Sequence, residues 1–192
     1  MRVFAVVLLV GLLLCAPGAG ATESCDCSGR ALCVKGEATE GVGAALKLPV
    51  TLELRGGTNQ QLSDELSRIA GKRIVVSPAK PDEPINLDVK SAPLWDVLEA
   101  LSLSSTVQVE GEDFSKLQTV RKALASGEKI SVCINAAPLA RVIRELSGLS
   151  GKALRVTSGD EKALVTLSAE EITLDGILTR VLEQTGARIA VK

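Results

Sequence analysis

Residues 50–109 and 130–189 align without a gap at a constant offset of 80. Val50-Thr51-Leu52-Glu53-Leu54 lies over Ile130-Ser131-Val132-Cys133-Ile134. Glu65-Leu66-Ser67 recurs as Glu145-Leu146-Ser147, and Gly71-Lys72 as Gly151-Lys152. Only 9 of 60 positions are identical, yet the apolar pattern matches throughout. A chain written this way builds one supersecondary unit twice, which excludes most single-sheet architectures of its length.

Each copy reads alike. Apolar residues at 50, 52 and 54, and at 130, 132 and 134, alternate as a half-buried strand does. Leu62, Leu66 and Ile69, with Val142, Leu146 and Leu149, fall on one helix face. Gly71 and Gly151 sit where a left-handed residue ends that helix. Short strands at 74–76 and 154–156 precede polar turns, and alternation returns at 85–89 and 165–169. Leu94, Val97, Leu98 and Leu101 form the face of a second helix, matched by Leu174, Ile177, Leu178 and Val181; Val107/Val109 and Ala187/Ile189 close each copy. The order β-α-β-β-α-β, twice, predicts an α+β fold with one small sheet per copy, covered on one face by two helices.

The copies occupy 49–110 and 129–192. Between them, 111–128 reads as a connecting helix, with Phe114, Leu117, Val120 and Leu124 at helical spacing before Gly127. Residues 22–48 are rich in Gly, Ala and Cys without periodicity and read as an irregular arm. Residues 1–21 read as a signal peptide: Met1-Arg2, an apolar run from Val3 to Leu14, then Ala19-Gly20-Ala21, with cleavage after Ala21. The run is shorter than the roughly 18–20 residues that span a bilayer. Leu12-Leu13-Leu14-Cys15 offers a lipoprotein alternative at Cys15, against which stands the bulky Leu14.

Export sets the meaning of the four remaining cysteines, Cys25, Cys27, Cys33 and Cys133. An even number in an oxidising compartment favours disulfides, with three connectivities open. A metal site in the 25–33 cluster lacks C-x-x-C pairs and any histidine, and Cys25-Asp26-Cys27 lacks redox spacing. Val132 and Ile134 define the core face of their strand, so Cys133 points the other way, as Glu53 does. Cys133 is therefore expected to bridge to the arm.

The absences narrow the chemistry. No His and no Tyr occur in the chain. Ser-His-Asp and Cys-His catalysis and His-ligated zinc are excluded, and base-stacking platforms have almost nothing to build with. A net charge of −1 gives no electrostatic reason for a nucleic-acid partner. Gly71-Lys72 and Gly151-Lys152 lack the remainder of a phosphate-binding loop and read as helix ends. Asp82-Glu83, Asp160-Glu161 and Glu170-Glu171 read as solvated turn acids, and Trp95 as packing. No catalytic residue, cofactor, metal or small-molecule substrate is nominated.

The run Ile130-Ser131-Val132-Cys133-Ile134-Asn135-Ala136-Ala137-Pro138-Leu139 carries a resemblance, together with Val142-Ile143-Arg144-Glu145-Leu146-Ser147-Gly148-Leu149-Ser150-Gly151-Lys152. So does Val165 to Leu174 with its helix running to Gln184-Thr185-Gly186. The pattern resembles the short N-terminal domain (STN) of secretins and TonB-dependent signalling receptors. In the first copy Gly56-Gly57-Thr58-Asn59 departs from the apolar junction of that pattern. The resemblance implies periplasmic docking modules that stack in rings or bind a partner in a signalling relay. The expectation is an exported, non-enzymatic adaptor of the bacterial cell envelope, periplasmic or outer-membrane associated. Its partner would be a secretin, a TonB-dependent receptor or a regulator-like protein. The alternative is a self-assembling structural subunit forming rings or stacks. With Lys192 directly after the second copy, the expected protein is free-standing and not a pore.

Overall fold

The computed structural model describes residues 30–35, 41–80 and 83–191. The signal peptide, Cys15, the cleavage point after Ala21, Cys25 and Cys27 lie outside them. The first repeat consists of β2 (Pro49–Gly57), α2 (Asn59–Ala70), β3 (Ile74–Pro78), β4 (Ile85–Pro93), α3 (Leu94–Ser102) and β5 (Ser105–Val109). The second is β7 (Ile130–Pro138), α5 (Leu139–Ser150), β8 (Leu154–Ser158), β9 (Leu164–Ile172), α6 (Leu174–Thr185) and β10 (Arg188–Val191). Between them stand β6 (Glu112–Asp113) and α4 (Phe114–Ser126). Ahead of both come β1 (Leu32–Lys35) and the short α1 (Val42–Ala45).

The fold is α+β, but the strands of each copy divide between two small sheets where the periodicity predicts one. β2 pairs with β4 and β3 with β5; β7 pairs with β9 and β8 with β10, all antiparallel. In the first repeat α2 touches both β2 and β3, and α3 touches β4 and β5, so the helices lie between the sheets. Alternation marks which face of a strand is buried and says nothing of which strand lies beside it. The arm also departs from its irregular reading, since 22–48 contains β1 and α1. The connecting segment contributes β6 to the first repeat, through a tight turn at Glu110-Gly111 with φ 53° and 82°, the positive values a two-residue hairpin needs.

The helix faces are buried as their spacing predicts. Leu62, Leu66, Leu98, Val142, Leu146, Ile177 and Val181 have no exposed surface. Each such aliphatic side chain contributes roughly 1.5–3 kcal/mol on leaving water. Gly71, Gly127, Gly151 and Gly186 end their helices in the left-handed conformation. The repeated Ser67 and Ser147 clasp helix to following strand: Ile74 N donates to Ser67 Oγ (2.8 Å) and Leu154 N to Ser147 Oγ (3.1 Å). Two bulges recur at the same offset. Gly56 and Ala136 sit at φ 64° and 45°, and Ser91 and Glu171 at 54° and 52°, each at a register shift of its strand pair.

One contiguous apolar core runs through both repeats. At their junction Trp95 is 4% exposed, its ring centroid 4.8 Å from that of Phe114. The Arg121 guanidinium lies 4.1 Å above the Trp95 ring, so α4 is stapled to the first repeat while it also packs on α5 of the second.

Candidate functional site

β1 and α1 of the arm dock on the second repeat, while its last residues bond to the first, where Trp95 N donates to Leu46 O (2.9 Å) and Leu94 N to Leu48 O (2.8 Å). β1 adds to the free side of β7 in parallel, with Leu32 opposite Val132, Cys33 opposite Cys133 and Val34 opposite Ile134. Leu32 and Val34 are 4% and 3% exposed, whereas Cys33 is exposed. Both Cys33 and Cys133 are held in the disulfide-bonded state. Cys133 has no exposed surface, although the strict alternation of its strand turns it away from Val132 and Ile134. Its outer face is therefore not solvent. Arg30 pairs with Glu170 at 2.9 Å, and Ala31 N donates to Ser131 Oγ at 3.4 Å.

The second half of the arm, α1, lies on α5. Gly43 N donates to Glu145 Oε2 at 2.7 Å inside the protein, and Glu145 is 4% exposed. Burial pushes the Glu145 carboxyl above the usual range; the Gly43, Ala44 and Gly41 amides and the Arg141 charge oppose that shift. The approach is close enough that a Cβ on Gly148 would land on the Gly43 carbonyl, and one on Gly41 would meet the Glu145 carboxylate. Glycine is required here for space, and its cost to a helix is outweighed by contact. Glu145 and Gly148 escaped the sequence reading: Glu145 repeats Glu65, and Gly148 is one of many differences between the two helices, standing where α2 has Arg68.

Lys47 donates to Ser147 Oγ and its ammonium is lowered in pKa by burial, then by Arg121. A lysine beside a serine has the atoms of a nucleophile and its base. Ser147 Oγ, however, also accepts from Leu154 N and donates to Lys152 O (2.7 Å), the clasp that Ser67 makes with no lysine present. Its role is structural. The acidic pairs do not converge. Glu170 and Glu171 pair separately with Arg30 and Lys129, Asp160 accepts from Lys162 N, and Glu83 faces Lys80; Asp82 lies outside the described residues.

A shallow cavity of about 190 Å³ is lined by Ser102, Ser105, Thr106, Asp113, Phe114 and Gln118. Its one carboxylate, Asp113, is committed to capping α4 through Ser115 N at 2.8 Å, which holds it below the usual carboxylate range. Among the described residues no group of three or more Cys, Asp or Glu gathers as a metal site.

Strand edges are treated unequally. Val76 N and Ile74 N on β3 are met by Ser63 and Ser67, Thr166 on β9 is met at both N and O by Gln184, and β5 is covered by β6. Among the described residues β2 bonds only to β4, and β10 only to β8. No protein family, curated protein or solved structure matches this chain.

Proposed function

We propose that the chain is an exported, non-enzymatic docking protein of the bacterial cell envelope, receiving an extended segment of a partner along a strand edge. The observation that carries the reading is β1 itself: a strand from outside either repeat adds to β7 and completes a three-stranded sheet. A repeat that accepts a strand from the arm has the geometry to accept one from another protein, with backbone bonds giving affinity and alternate side chains giving selectivity. The apolar leader and the resemblance to secretin and TonB-receptor STN domains support the compartment and the partner class.

Crosslinking a tagged copy in living cells of its source, followed by denaturing purification, tests the reading. Recovery of secretin, receptor or regulator peptides is the expected result. Recovery of the chain alone contradicts it.

A second reading, a self-assembling structural subunit, is favoured by one observation. The two repeats leave different edges open, β2 in the first and β10 in the second. Two unlike surfaces that join head to tail generate rings or filaments instead of closed dimers. Size on a calibrated column separates the readings, because the adaptor alone runs as a monomer or dimer.

A further inference from the structure

We propose that Lys47 and Arg121 form an oxyanion-binding site where the arm, α4 and α5 meet, suited to a phosphate dianion, free or carried as a monoester. The site uses side chains and no strand edge, and so goes beyond the docking reading. Both cations reach the same end of α5. Lys47 Nζ donates to Ser147 Oγ and to Lys152 O (3.5 Å), and Arg121 Nη2 lies 3.0 Å from where a Cβ on Gly151 would stand. Their closeness registers in the Lys47 ammonium, lowered in pKa by burial and then by the Arg121 charge.

Two like charges held together cost free energy, which a carboxylate between them would offset. Among the described residues neither Lys47 nor Arg121 forms an ion pair. The carbonyl end of α5 draws cations, but a helix end is equivalent to only about half an elementary charge. Roughly one and a half positive charges therefore stay uncompensated at this corner. Lys47 is exposed and Arg121 half-buried, so an ion from solvent can reach both.

Arg121 is also prepared as a receptor. Its guanidinium is held 4.1 Å above the Trp95 ring, and Trp95 is itself fixed, buried against Phe114. Stacking occupies a face of the guanidinium and leaves its N–H fork unspent, since Arg121 donates no hydrogen bond to the described residues. None of its nitrogens is sealed from solvent, whereas Arg141 Nε is buried without a partner. A guanidinium whose plane is set in advance loses less freedom on binding, and its fork matches two oxygens of an oxyanion. Lys47 supplies a point charge for a third oxygen. A tetrahedral dianion engages both groups; a lone carboxylate satisfies the fork and leaves the ammonium over.

Calorimetric titration of the full chain with inorganic phosphate at constant ionic strength tests the site, followed in parallel by the emission of Trp95, the one tryptophan of the sequence. Saturation at millimolar phosphate or below is expected, with a matching change in emission and none when chloride replaces phosphate. Lys47→Gln and Arg121→Lys are each expected to weaken binding roughly tenfold or more, the second because it keeps the charge but loses the fork. Lys47→Arg is expected to retain binding. Glycerol 3-phosphate distinguishes the two sources within the proposal: binding at least as tight as inorganic phosphate assigns a monoester, and weaker binding assigns the free ion. Absence of both saturable heat and emission change overturns the proposal. So does phosphate binding that Lys47→Gln leaves unaltered; this replacement is of an exposed side chain, and carries the test even where Arg121→Lys fails to fold.

Discussion

The two repeats share a backbone and differ in what is laid upon it. Nine of the twelve residues of α5 are buried, against four of twelve in α2. The difference is the arm, and a few side chains direct it. Where the second repeat has Cys133 and Gly148, the first has Glu53 and Arg68. Glu53 pairs with Arg55 on the open β2 edge, and Arg68 pairs with Glu65 across the face that would receive a helix. Charges on an edge strand discourage unwanted pairing, and a long cation on a helix face blocks close approach. The first repeat thus refuses β1 and α1, and the second is built to take them. Duplication supplied the scaffold, while docking was written in few positions.

The contrast can be broken at those positions. Gly148→Arg, which gives α5 the residue of α2, places a side chain where the Gly43 carbonyl lies. We expect displacement of α1 and a loss of about 3 kcal/mol or more in denaturant unfolding. The reciprocal Arg68→Gly removes an exposed pair and a helix-favouring residue, with a loss of about 1 kcal/mol. Equal losses would dissolve the comparison.

Next comes the repeated glutamate. Glu145→Ala leaves the α1 amides buried without their acceptor and should cost roughly 1–3 kcal/mol. Glu65→Ala, on the exposed pair, should cost below about 1 kcal/mol. Titration sharpens this further. The folded Glu145 carboxyl titrates above its ordinary value of 4.5, so in that window the folded state holds more protons than the unfolded. Stability from this group is greatest at low pH and declines as pH rises through the raised value. Unfolding midpoints of Glu145→Gln against pH should show that decline removed.

The smallest effect concerns the shared bulge. Ala136 adopts φ 45° where the first repeat has Gly56. Ala136→Gly relieves a left-handed alanine and should raise thermal stability by up to about 1 kcal/mol. A clear loss would mean that the Ala136 side chain has a contact the first repeat does without.

Much of this was legible in the chain. The 80-residue offset, the helix faces and the glycines ending α2, α4 and α5 follow from spacing and from the left-handed residue that glycine allows. The turn of Cys133 away from the core face was legible too. Its full burial was not, because periodicity carries no information on a strand arriving from 100 residues away. The division into two sheets stayed hidden for the same reason. α1 was masked by its own glycines: Gly41 and Gly43 weaken a helix intrinsically and are present because Glu145 and Gly148 leave no room for a Cβ. The bulges at Ser91 and Glu171 carry no glycine to announce them.

Peptide mapping of the protein under non-reducing conditions tests the central claim most directly. Docking of the arm on the second repeat predicts a linked pair of peptides joining Cys133 to the arm, at Cys25, Cys27 or Cys33. Cys133 recovered as a free thiol would contradict it.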